Sequence, residues 1–186
     1  ADEADQGTEV KDVKLWIFDA DKGSLIEEKH YGSTEEVASQ RFELPEGTYR
    51  ILTTTNLTEP FFISEQTRAL TNWNNIQIGL TNPKNVRNNA YFGVAEVKIA
   101  NKEGSYVVQN PIRSVLAELT IIIENVPKGT EMSGKALDAA WCLFPTQKNG
   151  DGDYGLPSID PTEVELPTLL ATESTLKSEV IRLMPT

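Results

Sequence analysis

The sequence is poor in the residues that most catalytic and metal sites require. It contains one histidine, His30, one cysteine, Cys142, and two methionines among 186 residues. A single cysteine excludes an internal disulfide, and a nucleophilic cysteine needs a nearby base. His30 is distant in sequence, and Cys142 lies in an apolar run where we expect a small buried hydrophobe. We therefore predict a protein that is not an enzyme and that binds no cofactor.

Positive charge and long apolar runs are also scarce. Lysine and arginine number 17 against 28 aspartates and glutamates, which gives a formal net charge of -11. Nucleic-acid phosphates need a basic protein surface, so we expect no nucleic-acid partner. An anionic membrane surface would repel the chain for the same reason. No apolar run is long enough to span a bilayer.

The abundant signal in this sequence is alternation of apolar and polar residues with period two. Val13, Leu15 and Ile17 alternate with residues that are also partly apolar, which is typical of a strand inside a sandwich. The longest such run covers residues 115–123 and predicts one long strand. About nine strands separated by turn-forming residues predict an all-β fold, an immunoglobulin-like antiparallel β-sandwich with at most one or two short helices.

Turn chemistry gives more local predictions. Residues 42–55 are the clearest hairpin, because Pro45-Glu46-Gly47 suits a tight turn between two alternating segments. Residues 106–108 predict a strand after a turn, and residues 147–162 predict a polar loop. Ser64 carries the signal of a short helix start.

The domain prediction follows from the same pass along the chain. Residues 1–9 are polar and acidic and predict a flexible leader. Residues 10–186 are predicted to form one β-sandwich domain. A weak boundary near residues 126–133 leaves open that 134–186 begins a second sandwich domain.

Two acidic clusters are candidate cation sites. Asn149, Asp151 and Asp153 alternate as calcium-loop ligands do, and Asp160 lies where a twelfth-position ligand would fall. However, Tyr154 stands where an EF-hand requires glycine, so an ordinary hairpin loop is the favoured interpretation and no metal is predicted. The second cluster, with carboxylates at positions 19 and 21, is first of all a hairpin turn.

Aromatic residues are the candidates for ligand binding. Trp16 and Trp141 lie in apolar runs and are expected in the core. Trp73 lies between two asparagines and is the better candidate for an exposed aromatic. Together with Tyr154 it is the first residue to test for carbohydrate stacking, although packing remains the favoured role for Trp73.

An ordered set of short motifs resembles a known family. It comprises Val13-Lys14-Leu15-Trp16-Ile17-Phe18-Asp19, then Leu44-Pro45-Glu46-Gly47-Thr48-Tyr49, then Tyr91-Phe92-Gly93, then Arg113-Ser114-Val115-Leu116-Ala117, and finally Ile181-Arg182-Leu183-Met184. Each motif alone is weak, and their order carries the comparison. The chain resembles the fimbrillin superfamily of Bacteroidales, which comprises major, minor and anchor-type fimbrial subunits.

The resemblance implies a transthyretin-like β-sandwich, export as a lipoprotein and a place in the outer membrane or surface fimbrium. It implies other fimbrial subunits as partners and membrane contact only through a lipid anchor outside this chain. Host or bacterial surface ligands are further candidate partners. Assembly would proceed by strand exchange, with the first strand (Val13, Leu15, Ile17) and the last (Val180, Leu183) as the candidate exchanged segments. These segments also have a simpler interpretation as ordinary sandwich strands. The alternative function is a carbohydrate-binding module of a surface lipoprotein.

Overall fold

A computed structural model describes residues 10–64, 71–101, 103–158 and 162–185. The predicted leader, most of the helix predicted after Ser64, and Asp160 lie outside the described residues. Within these ranges, no helix is both long and apolar enough to cross a membrane.

The described residues form seventeen strands and one helix. In chain order they are β1 Val13–Asp19, β2 Leu25–Tyr31, α1 Thr34–Ala38, β3 Gly47–Thr55, β4 Phe61–Ile63, β5 Ile78–Leu80, β6 Tyr91–Ile99, β7 Arg113–Ser114, β8 Ala117–Leu119, β9 Ile122–Glu124, β10 Glu131–Met132, β11 Lys135–Ala139, β12 Cys142–Lys148, β13 Tyr154–Pro157, β14 Thr162–Glu165, β15 Leu169–Leu170, β16 Thr175–Lys177 and β17 Ile181–Leu183.

The first sheet has the strand order β2-β1-β3-β6-β7, and its ladders are antiparallel. The alternation that predicted β1 holds, because Trp16 and Phe18 point into the main core while Leu15 and Ile17 are buried on the other face. Leu52 of β3 lies opposite Trp16 and belongs to the same core.

Residues 32–46 cross one face of this sheet. Since β2 and β3 are both antiparallel to β1, they are parallel to each other, and the connection between them must pass over β1. Its short helix is capped by Ser33, whose hydroxyl accepts the Glu36 N–H, while Glu36 accepts the Gly32 N–H. The hairpin predicted at residues 42–55 is therefore wrong: 42–44 form no strand, and β3 pairs with β1 and β6 instead.

The second sheet has the order β13-β12-β5-β4. It contributes Phe61, Ile78, Leu80 and Leu143 to the core that Trp16 and its neighbours form on the first sheet. Two facing antiparallel sheets around one apolar core confirm the predicted β-sandwich. The polar loop predicted at residues 147–162 is wrong in part, because β13 lies within it and forms the edge of this sheet.

Residues 117–139 and 162–183 form a long two-stranded antiparallel ribbon, which we call the ribbon. The residue numbers of its paired residues add up to between 299 and 301 throughout, so one register with local bulges is kept along its length. The pairs of β12 with β13 continue it to the turn at residues 149–153. Residues 117–183 are thus one extended hairpin. An isolated β-bridge joins Ala140, which follows β11, to Met184, which follows β17. This bridge brings the two ends of the ribbon close together.

The ribbon explains why the single strand predicted over residues 115–123 is wrong. Within that stretch, β8 and β9 are separate strands that pair with β17 and β16, and β7 ends before the stretch begins. Val115 and Leu116 turn into the core. The hydroxyl of Ser178 accepts the Ile121 N–H at 2.8 Å, which interrupts the ladder between β8 and β9.

The strand predicted at residues 106–108 is also wrong. The hydroxyl of Tyr106 accepts N–H groups from Ala100 and Asn101, at 3.0 and 3.1 Å. The chain then continues without a strand partner, and Val107 is 91% exposed. Local β propensity favoured a strand here, but the structure gives this segment no ladder.

Candidate functional site

The two sheets leave an open groove between β7 and β13. Its volume is about 570 Å³, and its floor includes Phe92, Val115 and Leu143, which are all core residues. The walls come from the start of the ribbon and from the β12–β13 hairpin. The groove is therefore a place where the apolar interior of the sandwich approaches the surface.

Arg113 links the two walls of this groove. Its guanidinium lies 5.1 Å above the ring of Phe92, and its Nη1 is 3.9 Å from Asp153 Oδ2. Gly155 has φ of +112°, and a Cβ atom there would lie 2.7 Å from Arg113 Nη2 and 2.8 Å from the Phe92 ring. The close approach of Arg113 thus requires glycine at position 155. The ion pair itself is exposed and contributes little stability.

The candidate calcium loop is a hairpin turn. The Asn149 side chain accepts N–H groups from Asp151 and Asp153, both at 3.0 Å, so its oxygen is committed to the turn. Asp153 is turned towards Arg113. Across the ranges that the structure describes, no group of three or more His, Cys, Asp or Glu side chains is placed to hold a metal ion.

Asp19 and Asp21 likewise form a turn. The Asp19 carboxylate accepts the N–H groups of Asp21 and Lys22, both at 2.9 Å. These hydrogen bonds, the Lys22 one foremost, lower the pKa of Asp19 against a smaller desolvation effect. A carboxylate committed to its own turn is poorly suited to acid–base chemistry.

The tryptophans occupy positions that the sequence assigned in part wrongly. Trp16 is in the core as expected. Trp73, the candidate exposed aromatic, is only 4% exposed and packs edge-on against Phe18 and Tyr154. Trp141, expected in the core, is 42% exposed. Trp73 thus has the packing role that was favoured for it, whereas the core position expected for Trp141 is wrong, because nearby apolar residues do not determine which face of a sheet a tryptophan occupies.

Tyr154, the other candidate ligand aromatic, is half-buried. It packs against the main core, and the Lys148 ammonium group lies 5.3 Å from the centre of its ring. Trp73 and Tyr154 therefore do not form an exposed stacking platform. Cys142 is buried, as expected for a packing residue. His30 is exposed beside Asp12, so it is not placed as a base next to the Cys142 thiol.

The candidate assembly residues fall into two structurally different groups. Val13, Leu15 and Ile17 belong to β1, which is an interior strand with ladders on both sides, and all three are buried. Releasing β1 would break both ladders. Val180 is 43% exposed, and Leu183 lies in β17, which among the described residues forms a ladder with β8 alone. The C-terminal strand is thus the less firmly held of the two.

A polar network holds β17 in place. Arg182 Nε donates to Glu118 Oε1 at 2.8 Å, and the buried Asn89 side chain donates to the same oxygen at 3.4 Å. Asn89 also accepts the Leu116 N–H and donates to the Leu116 carbonyl, both at 3.1 Å. Through these contacts the first and last strands of the ribbon are tied to the sandwich.

Exposed apolar surface is concentrated in the second half of the chain. All ten large hydrophobic residues that are exposed among the described residues lie at or beyond position 106. Seven of them are on or beside the ribbon: Leu119, Ile122, Met132, Leu137, Trp141, Leu170 and Val180. Sequence reasoning missed this surface because it treated alternating apolar residues as buried. The signal available was only the length of the alternating run.

Comparisons with known proteins agree with this architecture. A family model for the fimbrillin-A associated anchor proteins Mfa1 and Mfa2 matches residues 1–176. No curated protein matches the chain by sequence. Among solved structures, the fimbrial anchor protein Mfa2 from Porphyromonas gingivalis is similar with a TM-score of 0.64 and 13% identity. That match covers 95% of this chain and 65% of that one.

Two Bacteroides thetaiotaomicron structures share the fold. One is described as a "putative adhesin", with a TM-score of 0.63 and 14% identity over 94% of this chain and 63% of that one. The other is described as "putative polysaccharide binding proteins", with a TM-score of 0.56 and 10% identity over 92% and 64%. The chain spans less than two thirds of the length of these structures. The match of the family model over most of the sequence places this chain in the family of fimbrillin-A associated anchor proteins.

Proposed function

We propose that the chain is a structural or adhesive subunit of a bacterial surface fimbria and joins neighbouring subunits by strand exchange. In this proposal it is exported as a lipoprotein to the outer membrane and has no enzymatic activity. Its partners are other fimbrial subunits. Family membership and the fimbrial anchor among its structural relatives support the fimbrial part of the proposal.

The observation that carries the strand-exchange part is the exposed apolar surface of the ribbon. Ile122, on one strand of the ribbon, is 55% exposed, and Val180, beside the other strand, is 43% exposed. Within the described residues, β8 and β17 pair only with each other. Unpaired strand edges that carry apolar side chains are the surfaces on which another chain adds a strand.

Val180→Asp tests this proposal. A charge at this exposed position should leave the fold intact but weaken an apolar contact with a neighbouring subunit, so less chain should enter the fimbriae. Thr175→Asp is the matched control, because it places the same charge on the ribbon at a position that is already polar and exposed. The readout is the amount of tagged chain in fimbriae sheared from cells. Equal incorporation of both variants would contradict strand exchange through this segment.

A carbohydrate-binding module remains the second candidate. The exposed ring of Trp141 favours it, since a tryptophan face can stack on a sugar ring. The structural relative described as "putative polysaccharide binding proteins" also supports a carbohydrate-binding function. A glycan array that detects binding by the wild type and loses it in Trp141→Ala would favour this function. An array without any bound glycan would count against it.

A further inference from the structure

The first sheet of the sandwich has an incompletely covered edge at β6. One side of β6 pairs with β3 from Tyr91 to Ile99. On the other side, β7 pairs only with Tyr91 and Phe92. No strand among the described residues pairs with residues 93–99 on that side. We call residues 93–99 the open edge.

The direction of the backbone groups at the open edge follows from the neighbouring contacts. The Val115 N–H donates to the Ala90 carbonyl at 2.8 Å, which places the polar groups of Ala90 on the β7 side. In an antiparallel ladder, alternate residues point their N–H and C=O groups to the same side. Val94, Glu96 and Lys98 therefore direct their N–H and C=O groups away from β3 and towards the open edge.

The side chains beside these groups define what kind of strand would fit. Val94 packs partly against the main core, and its neighbour Phe92 forms part of the groove floor. Glu96 and Lys98, on the same face, are exposed. Because Arg113 of β7 already lies beside Phe92, a strand that adds here would need an apolar side chain beside Val94 and polar side chains farther along.

The chain itself does not fill the open edge. The segment after β6 runs back along it, but above one face of the sheet. Asn110 reaches down to the Thr53 hydroxyl at 2.8 Å and to the Gly93 carbonyl at 3.2 Å. No backbone hydrogen bond joins residues 105–109 to another residue of the described ranges. No strand of the described residues therefore occupies the plane of the sheet beside residues 93–99.

Charge distinguishes among the polypeptides that could fill this position. A second copy would bring another net charge of -11 to a chain with the same charge, which opposes close approach. At the open edge itself, Glu96 is paired with Arg50 at 3.5 Å, while Lys98 is exposed. A neutral or basic strand from a different subunit meets less repulsion than a second copy does.

We propose that the open edge of β6 receives an extended strand from a different fimbrial subunit, apolar where it lies beside Val94 and next to the end of β7. This inference rests on the proposed function and names the acceptor edge that strand exchange would use. Main-chain hydrogen bonds to Val94, Glu96 and Lys98 supply the attachment. The apolar side chains of the incoming strand extend the core into the groove.

The test removes one outward N–H with proline. Glu96→Pro deletes a donor at the open edge without touching the ladder to β3, because proline is tolerated on edge strands. Glu28→Pro is the matched control on the opposite edge of the same sheet. The Asp19 N–H donates to the Ser24 carbonyl, so odd-numbered residues of β1 face β2, and the N–H of Glu28 points outwards. Glu96→Gln separates loss of the Arg50 ion pair from loss of the donor.

The readouts are incorporation into sheared fimbriae and amide hydrogen exchange. We expect Glu96→Pro to lose incorporation while Glu28→Pro and Glu96→Gln keep it, with all variants unfolding cooperatively as monomers. In incorporated wild type, the amides of Val94, Glu96 and Lys98 should exchange about tenfold or more slowly than in the free monomer. Equal incorporation of the two proline variants overturns the inference but not the proposed function. Slow exchange of these amides in the free monomer overturns it too. Failure of the wild type to enter fimbriae overturns both.

Discussion

Two asparagine side chains connect segments that are far apart in the sequence. Asn89, which lies just before β6, bonds to Leu116. Asn110, in the segment after β6, bonds to Thr53 and Gly93. Asn89 both donates and accepts, whereas Asn110 donates, and each supplies hydrogen bonds to a segment that forms no ladder there. At both positions a single residue determines where a connecting segment rests on the sandwich.

The Asn110 contact gives a prediction at this scale. Its Nδ2 donates towards three oxygens, on Ile51, Thr53 and Gly93. Asn110→Ala removes the donor and should lower the free energy of unfolding by about 1–3 kcal/mol. Asn110→Asp, which keeps the shape but places a carboxylate against these oxygens, should cost more. Urea unfolding measures both, and an aspartate variant as stable as wild type would contradict the assignment.

Individual residues also show how far the sequence can predict burial. Alternation correctly predicted Trp16 in the core, because that strand has neighbours on both sides. It could not predict the burial of Trp73, which depends on two contacts. The backbone N–H of Trp73 donates to the Gly23 carbonyl, and its ring packs against Phe18. These partners are about fifty residues away in the chain, and no local pattern contains them.

At the scale of elements, alternation identified strands better than it identified their partners. The strands β1 and β3 lie where the pattern predicted strands. The predicted pairing of residues 42–44 with β3 failed because these residues belong to the crossover over β1, which places β3 beside β1, and the other side of β3 pairs with β6. The ribbon was missed for the same reason, since its pairs join residues up to 66 positions apart, as in Ala117 with Leu183.

The far end of the ribbon is held to the sandwich by Lys84, whose Nζ donates to Glu165 Oε2 at 2.8 Å. This hydrogen bond is the main reason why the pKa of Glu165 is below its ordinary value. The folded carboxyl thus binds a proton less readily than the unfolded one. The stabilisation is present above the unfolded pKa and is lost as the pH falls through the folded pKa.

We therefore expect NMR titration of the Glu165 carboxyl to give a lowered pKa in the wild type and a pKa nearer the ordinary value in Lys84→Ala. Both side chains are exposed, so the effect on global stability should be small. Glu163, which pairs with Lys135 on the same ribbon, is the internal control. An unchanged Glu165 titration in Lys84→Ala would contradict this contact.

At the scale of the whole molecule, the two halves of the chain share one core. Leu143 and Met184 lie in the same cluster as Trp16 and Phe92. The boundary predicted near residues 126–133 stays a prediction, and the structure gives a way to test it. Half of the second sheet, β12 and β13, follows that boundary in sequence but lies opposite the first sheet.

Truncation after Val126 should therefore abolish cooperative folding. The fragment would lose β12, which pairs with β5 and carries Leu143. One side of the core would then be exposed to water. Thermal unfolding followed by circular dichroism measures the outcome, with residues 10–185 as the reference. A sharp transition in the fragment would instead support an independent domain that ends near the predicted boundary.

The constant register of the ribbon has a consequence for the order in which the chain folds. Once the turn at residues 149–153 brings β12 and β13 together, each further pair out to Ala117 and Leu183 closes only a short additional loop. The ladder between β3 and β6 has no such route, because it must first close the loop from Thr55 to Tyr91. We expect the strand pairs in the second half of the chain to form in order, from the turn at residues 149–153 outwards. The slower step is then the association of the amino-terminal sheet with this hairpin.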